Sequence, residues 1–159
     1  MCPDVCPQPV MKSLLNAAYS KEIIERINHL TPASTPLWGK MKVDQAMAHL
    51  NAAFNNALGE VKQKREFWGY IFGNMAKKSL LSDKPVKKGL PTSKALKVKG
   101  EYNFEEEKEH LIALIEHYTA TRGKDVNKYP HPFFGRLTAI EWDKLLTKHI
   151  DHHLSQFGV

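Results

Sequence analysis

The chain has 159 residues and a mass of 18.1 kDa, enough for one domain with a core that needs no disulfide staples. Its 42 % hydrophobic and 25 % charged residues exclude a wholly disordered chain. The longest apolar run on the helical stretches, Leu111 to Ile115, is far short of a membrane span of about 18 residues. The net charge of +6 is local: eight lysines and one acid, Asp83, lie between Lys77 and Lys99, which reads as a solvated loop and makes a nucleic-acid partner unexpected.

The opening MCPDVCPQPV carries both cysteines, Cys2 and Cys6, among three prolines. Two thiols cannot complete a tetrahedral zinc site, and neither a basic n-region nor an apolar stretch marks a signal peptide. Residues 1–12 are therefore expected to be a disordered tail, residues 13–159 a single helical domain, and the protein cytoplasmic.

Ser20 is the expected cap of a first helix with Ile23, Ile24, Ile27 and Leu30 at helical spacing. The prolines and glycine of LTPASTPLWGKM break it. A second helix runs from about Val43 to Leu58 on the stripe Val43, Ala46, Leu50, Ala53, Phe54 and Ala57, with Gly59 as its stop. A third, over Glu66–Leu80, is weakened by Gly69 and Gly73. The lysine-rich SDKPVKKGLPTSKALKVKG is a long loop, with only a brief alternation in KALKVKGEY. Asn103, followed by three glutamates, starts a fourth helix that Gly123 closes, and Thr138 with Glu141 forms a capping box for a fifth that reaches Gln156. The fold class is all-α, an antiparallel bundle.

Of the eight histidines, His29, His110 and His117 suit a surface or a helix end. The last helix differs. At ~100° per residue, with His149 at zero, His153 falls at about 40°, Trp142 at 20°, Gln156 at −20°, Leu145 at −40° and Leu146 at 60°. His152 lies at the edge, at about −60°. Lys144, Thr147, Lys148, Asp151 and Ser155 occupy the other side, so Asp151 is not a candidate base. Two imidazoles one turn apart on a core face can both reach one metal ion, although core histidines satisfied by Gln156, tyrosines or water have the same spacing. A third ligand is needed. His49, flanking the stripe of the second helix, is the candidate, with Gln45 and Asn56 close to it in angle as supporting donors. His131, before Pro132, is either a loop-fixing residue or a supporting acid/base group. Trp38 and Trp68 suit packing or a pocket mouth. No H-E-x-x-H arrangement is present, which argues against a zincin-type protease.

The stretches TPLWGKM, MAHL and HPFFGRLTAIEWDKLLTKHIDHHLSQFGV, with HIDHHLSQF the most specific, resemble a branch of the DinB-like (DinB/YfiT-like) superfamily that is described as a domain of unknown function. The likeness runs from about Met11 to the end. It implies a four-helix bundle in up-down-down-up order, built from the helices near Ser20, Val43, Asn103 and Thr138, with Glu66–Leu80 as an extra short helix in a long crossover. It implies a divalent metal on His49, His149 and His153, zinc or nickel first, with iron or manganese compatible. Members include S-transferases that use a low-molecular-weight thiol, and dimers are common. Three functions follow: a metal-dependent thiol transferase or small-molecule hydrolase; a non-catalytic, stress-linked metal-binding bundle; or a basic interaction module working through Lys77–Lys99. The first implies a small-molecule substrate, a homodimer and no membrane partner.

Overall fold

The computed structural model describes residues 12–90, 94–126 and 128–159. Cys2, Cys6 and the tail expected over 1–12, apart from Lys12, lie outside them. The described residues form five α-helices and no strand: α1 (Ala17–Asn28), α2 (Val43–Ala57), α3 (Phe67–Leu80), α4 (Phe104–Ala120) and α5 (Ala139–Gln156). The alternating KALKVKGEY makes a single 3-10 turn at Lys94–Leu96.

α2 packs on α4 and α5, and α1 packs on the same two helices, so these four close around one core. Ile23, Ile27, Met47, Leu50, Phe54, Leu111, Ile115, Trp142, Leu146 and Ile150 are its centre. Burial of these side chains, at about 1.5–3 kcal/mol each, is what holds the helices together. α3 stands apart: its only buried residues are Gly69 and Gly73.

Local chemistry starts and stops the helices. α1 begins earlier than its pattern suggests, because Asn16, not Ser20, is the cap: Asn16 Oδ1 accepts from the amides of Ala18 and Tyr19. Ser20 is instead buried, its Oγ accepting from Thr119 Oγ1 at 2.9 Å. Asn103 and Thr138 cap α4 and α5, the latter in the expected reciprocal box with Glu141. Gly59, at φ +74°, lets the chain leave α2 in the left-handed conformation.

α5 is covered on two sides. Its core face carries Trp142, Leu146 and His153, as the wheel requires. Thr147, expected to face solvent, is buried under the N-terminal segment: Leu14 N donates to Thr147 Oγ1 at 3.1 Å, and Ser13 Oγ donates to Asp143 at 2.7 Å. Asp151 binds Arg26 at 2.7 Å, away from the histidines.

The crossover between α3 and α4 is tied down. Lys148 Nζ donates to the carbonyls of Leu80, Ser82 and Lys84 at 2.6–2.7 Å, and Lys144 pairs with Asp83 at 2.8 Å. The expected solvated loop is thus solvated in its lysine heads, such as Lys84, Lys87 and Lys88, while its backbone is anchored to α5.

Candidate metal centre

α2 and α5 pack with His49 facing the His149–His153 pair. His149 and His153 sit one helical turn apart, so their rings leave the same face of α5. His49 Nε2 lies 2.8 Å from His149 Nε2, and His153 Nε2 lies 3.2 Å from it. All three candidate ligand atoms fall within 4.8 Å of one another. Two nitrogens bound about 2.0–2.1 Å from one ion stand roughly 3.0–3.4 Å apart, close to the two distances from His149 Nε2. The three histidines are therefore near enough to bind one metal ion.

The hydrogen bonds behind the rings decide which nitrogen points inward. His49 Nδ1 donates to the Leu96 carbonyl at 2.8 Å. Gln156 Nε2 donates to the Trp38 carbonyl at 2.8 Å, which turns Gln156 Oε1 towards His153 to accept from His153 Nδ1 at 2.9 Å. In neutral rings these bonds leave Nε2 of His49 and of His153 as bare lone pairs. His149 Nε2 sits between them and can give a proton to at most one. More lone pairs than protons converge on one point, and a cation satisfies what protons cannot.

Electrostatics favour the neutral rings that a metal requires. Burial, followed by the neighbouring His49 and His153, drives His149 well below its ordinary value. Burial lowers His49 against the opposing Leu96 carbonyl. Burial and His49 take His153 down to about 3. His49 and His153 are buried, and His149 keeps part of its surface accessible although its ring is strongly desolvated.

The structure arranges the supporting residues unequally. Gln156 holds His153 from behind. Gln45, one turn before His49, makes no hydrogen bond to the triad among the described residues: Oε1 accepts from Lys42 N at the start of α2, and Nε2 donates to the Gly100 carbonyl. Asn56 is buried two turns along α2 with its Nδ2 unpartnered, roughly 10 Å of helix from His49. His131 is buried in the loop before α5, where Nδ1 accepts from the amides of Phe133 and Phe134 at 3.1 Å and the ring stacks on Phe134. That is a loop-fixing role, and burial lowers its pKa to about 3.

One contributor escapes sequence reasoning. Leu96 acts through a backbone carbonyl, which every residue has, so no side-chain signal could find it. His152, at the edge of the wheel, meets Trp38 edge-on at 5.9 Å and His153 at 5.3 Å. Trp38 also carries Lys88 Nζ 4.1 Å above its ring and lines a cleft of about 210 Å³ with Lys148 and Asp151.

A family model described as "Protein of unknown function (DUF1569)" matches residues 11–158. The chain belongs to this family. No curated protein and no solved structure matches it. In this DUF1569 chain the match spans every described helix, including α3, so the exposed helix and the histidine cluster belong to one family unit.

Proposed function

We propose that this DUF1569 protein is a DinB-like metalloenzyme: a four-helix bundle of α1, α2, α4 and α5 in up-down-down-up order that holds a divalent ion on His49, His149 and His153. The observation that carries this reading is the convergence of three Nε2 atoms that share at most one proton when the rings are neutral. The ring of contacts α1–α4–α2–α5 supports the bundle order, and the sequence stretches that resemble the superfamily support the assignment.

A divalent ion on three neutral imidazoles keeps its full charge and would supply a Lewis acid that lowers the pKa of a bound water or thiol towards neutrality. The residues do the rest. Leu96 and Gln156 hold His49 and His153 in the correct tautomer, so neither ring has to reorganise when the ion enters. The described residues contain no cysteine, and in this reading the nucleophile is a bound water or a low-molecular-weight thiol. Zinc or nickel fits an all-imidazole set best, with iron or manganese as alternatives. We favour transfer of a low-molecular-weight thiol in the reducing cytoplasm, with hydrolysis of a small substrate as the alternative outcome.

The test is metal content by mass spectrometry on tag-free protein beside the double variant His149→Ala, His153→Ala. The expected result is close to one equivalent of metal in the parent and none in the variant. No metal in the parent after reconstitution, with both proteins folded by circular dichroism, overturns the reading. Metal without turnover of thiols or esters by the loaded protein would leave a binding bundle instead of an enzyme.

A further inference from the structure

α3 carries a run of exposed apolar side chains. Phe67, Trp68, Tyr70, Ile71, Phe72 and Met75 are all exposed, from 44 % at Phe72 to 70 % at Tyr70. An ordinary soluble helix points such residues inward. Here the inward face is made of Gly69 and Gly73, against the backbone of Phe133 and Phe134. A Cβ at Gly69 would stand 2.5 Å from the Phe133 carbonyl oxygen, and one at Gly73 would collide with the same oxygen. The missing side chains let the helix lie flat on the Phe133–Phe134 loop and present its opposite side whole. Phe72, Trp68, Met75, Ile71 and Phe67 spread over about 140° of that side. Trp68 stacks with Phe72 at 6.0 Å and meets Phe67 edge-on at 5.5 Å, so the patch is continuous.

The charge around the patch says what covers it. Lys62, Lys64 and Arg65 precede α3, Lys77 and Lys78 close it, and Lys84, Lys87 and Lys88 follow. Of the nearby acids, Glu141 is engaged by Lys77 and Asp83 by Lys144, and with Glu60 and Glu66 before the helix the segment 60–88 still holds eight basic residues against three acidic ones. A second copy would have to oppose like charges. Antiparallel pairing of two α3 helices sets Lys62, Lys64 and Glu66 against Lys78, a net excess of like charge, and parallel pairing sets Lys78 against Lys78. An anionic lipid surface matches both parts of the pattern: aromatic and aliphatic side chains for the acyl boundary, and lysines at the headgroup level.

We propose that α3 is a peripheral membrane-docking element that lies in the plane of a bilayer bearing anionic headgroups, with Trp68, Ile71, Phe72 and Met75 inserted and Lys64 and Lys78 on the phosphates. No helix among the described residues is long and apolar enough to cross a membrane. The sequence expectation of no membrane partner rested on that lack of a span, and an in-plane helix needs none. Binding of this kind adds apolar burial to electrostatic attraction and depends on both.

The experiment is sedimentation of the full-length protein with sucrose-loaded vesicles of phosphatidylcholine alone and of phosphatidylcholine mixed with phosphatidylglycerol. Parent, Trp68→Ser/Phe72→Ser and Lys64→Glu/Lys78→Glu proteins are compared at low salt, and circular dichroism checks that each is folded. The expected result is sedimentation of the parent with the mixed vesicles only, a drop of about tenfold or more in partitioning for each double variant, and release of the parent by salt. Failure of the parent to sediment with the mixed vesicles overturns the proposal, as does equal partitioning of the serine variant. A dimer in analytical ultracentrifugation that the serine variant abolishes, without vesicle binding by the parent, assigns the patch to a second copy and overturns it equally. The outcome is independent of metal content.

Discussion

α2 and α3 are nearly the same length, and they use apolar residues in opposite ways. α2 buries eleven of its fifteen residues, among them the polar His49, Asn51 and Asn56. α3 buries only two of its fourteen, both glycines, and leaves its aromatic residues in solvent. Composition alone does not predict the difference: nine of the fifteen residues of α2 and eight of the fourteen of α3 are hydrophobic, and those of α3 are the larger. What separates them is the pattern. α2 has one apolar stripe with a polar flank, so burial of the stripe brings His49 to the edge of the core and towards α5. α3 is apolar over most of its circumference, and only its glycine line is shaped to approach another backbone.

That contrast can be broken or sharpened by measurement. The largest effect is expected at the core of α2: Phe54→Ala, which opens a cavity beside Tyr118, should cost about 3–5 kcal/mol in denaturant unfolding. Acid comes next. His49, His149 and His153 are held below 6.5 in the folded state, His153 at about 3, so the unfolded chain binds more protons throughout this window. The metal-free protein should keep its full stability above about pH 6.5 and lose a few kcal/mol progressively as pH falls towards 3, read as a falling thermal midpoint. Removing the three imidazoles should reduce that slope, leaving the part that buried His131 contributes. Gly73→Ala should push α3 off the Phe133 carbonyl at a cost of about 1–3 kcal/mol. The loss should be local, seen as faster amide exchange in α3 with α2 and α5 still protected. Gln156→Ala frees the His153 tautomer and should weaken metal binding by about 10–100-fold without unfolding the chain. The smallest effect is expected at Phe72→Ala, on the solvent side of α3, where stability should change by no more than about 0.5 kcal/mol despite the loss of a phenyl ring. A cost there as large as at Phe54 would mean that α3 is covered within the monomer.

Much of the fold is legible in the residues, because helix signals are local. The caps at Asn103 and Thr138 and the stop at Gly59 each depend on atoms within a few positions of one another. α1 shows the limit: Asn16 and Ser20 can both cap a helix, and burial of Ser20 beside Thr119 decided between them. The same limit applies to the site. Gln45 and His49 are neighbours on one face of α2, yet the amide of Gln45 is taken up by Lys42 and by Gly100 of the crossover. His131 is turned into its own loop by two amides. Trp68, a plausible packing residue by type, is 59 % exposed because the glycines next to it, not the indole, face the protein.

The sequence by itself determined the helices and placed His149 and His153 on one face of α5, because 3.6-residue periodicity is a property of the backbone and needs no partner. Only the tertiary structure decided that His49 stands 2.8 Å from His149, that Leu96 and Gln156 aim two of the rings, and that α3 keeps its aromatic side in solvent. Those are distances between segments up to a hundred residues apart, set by how whole faces pack, and no local rule contains them.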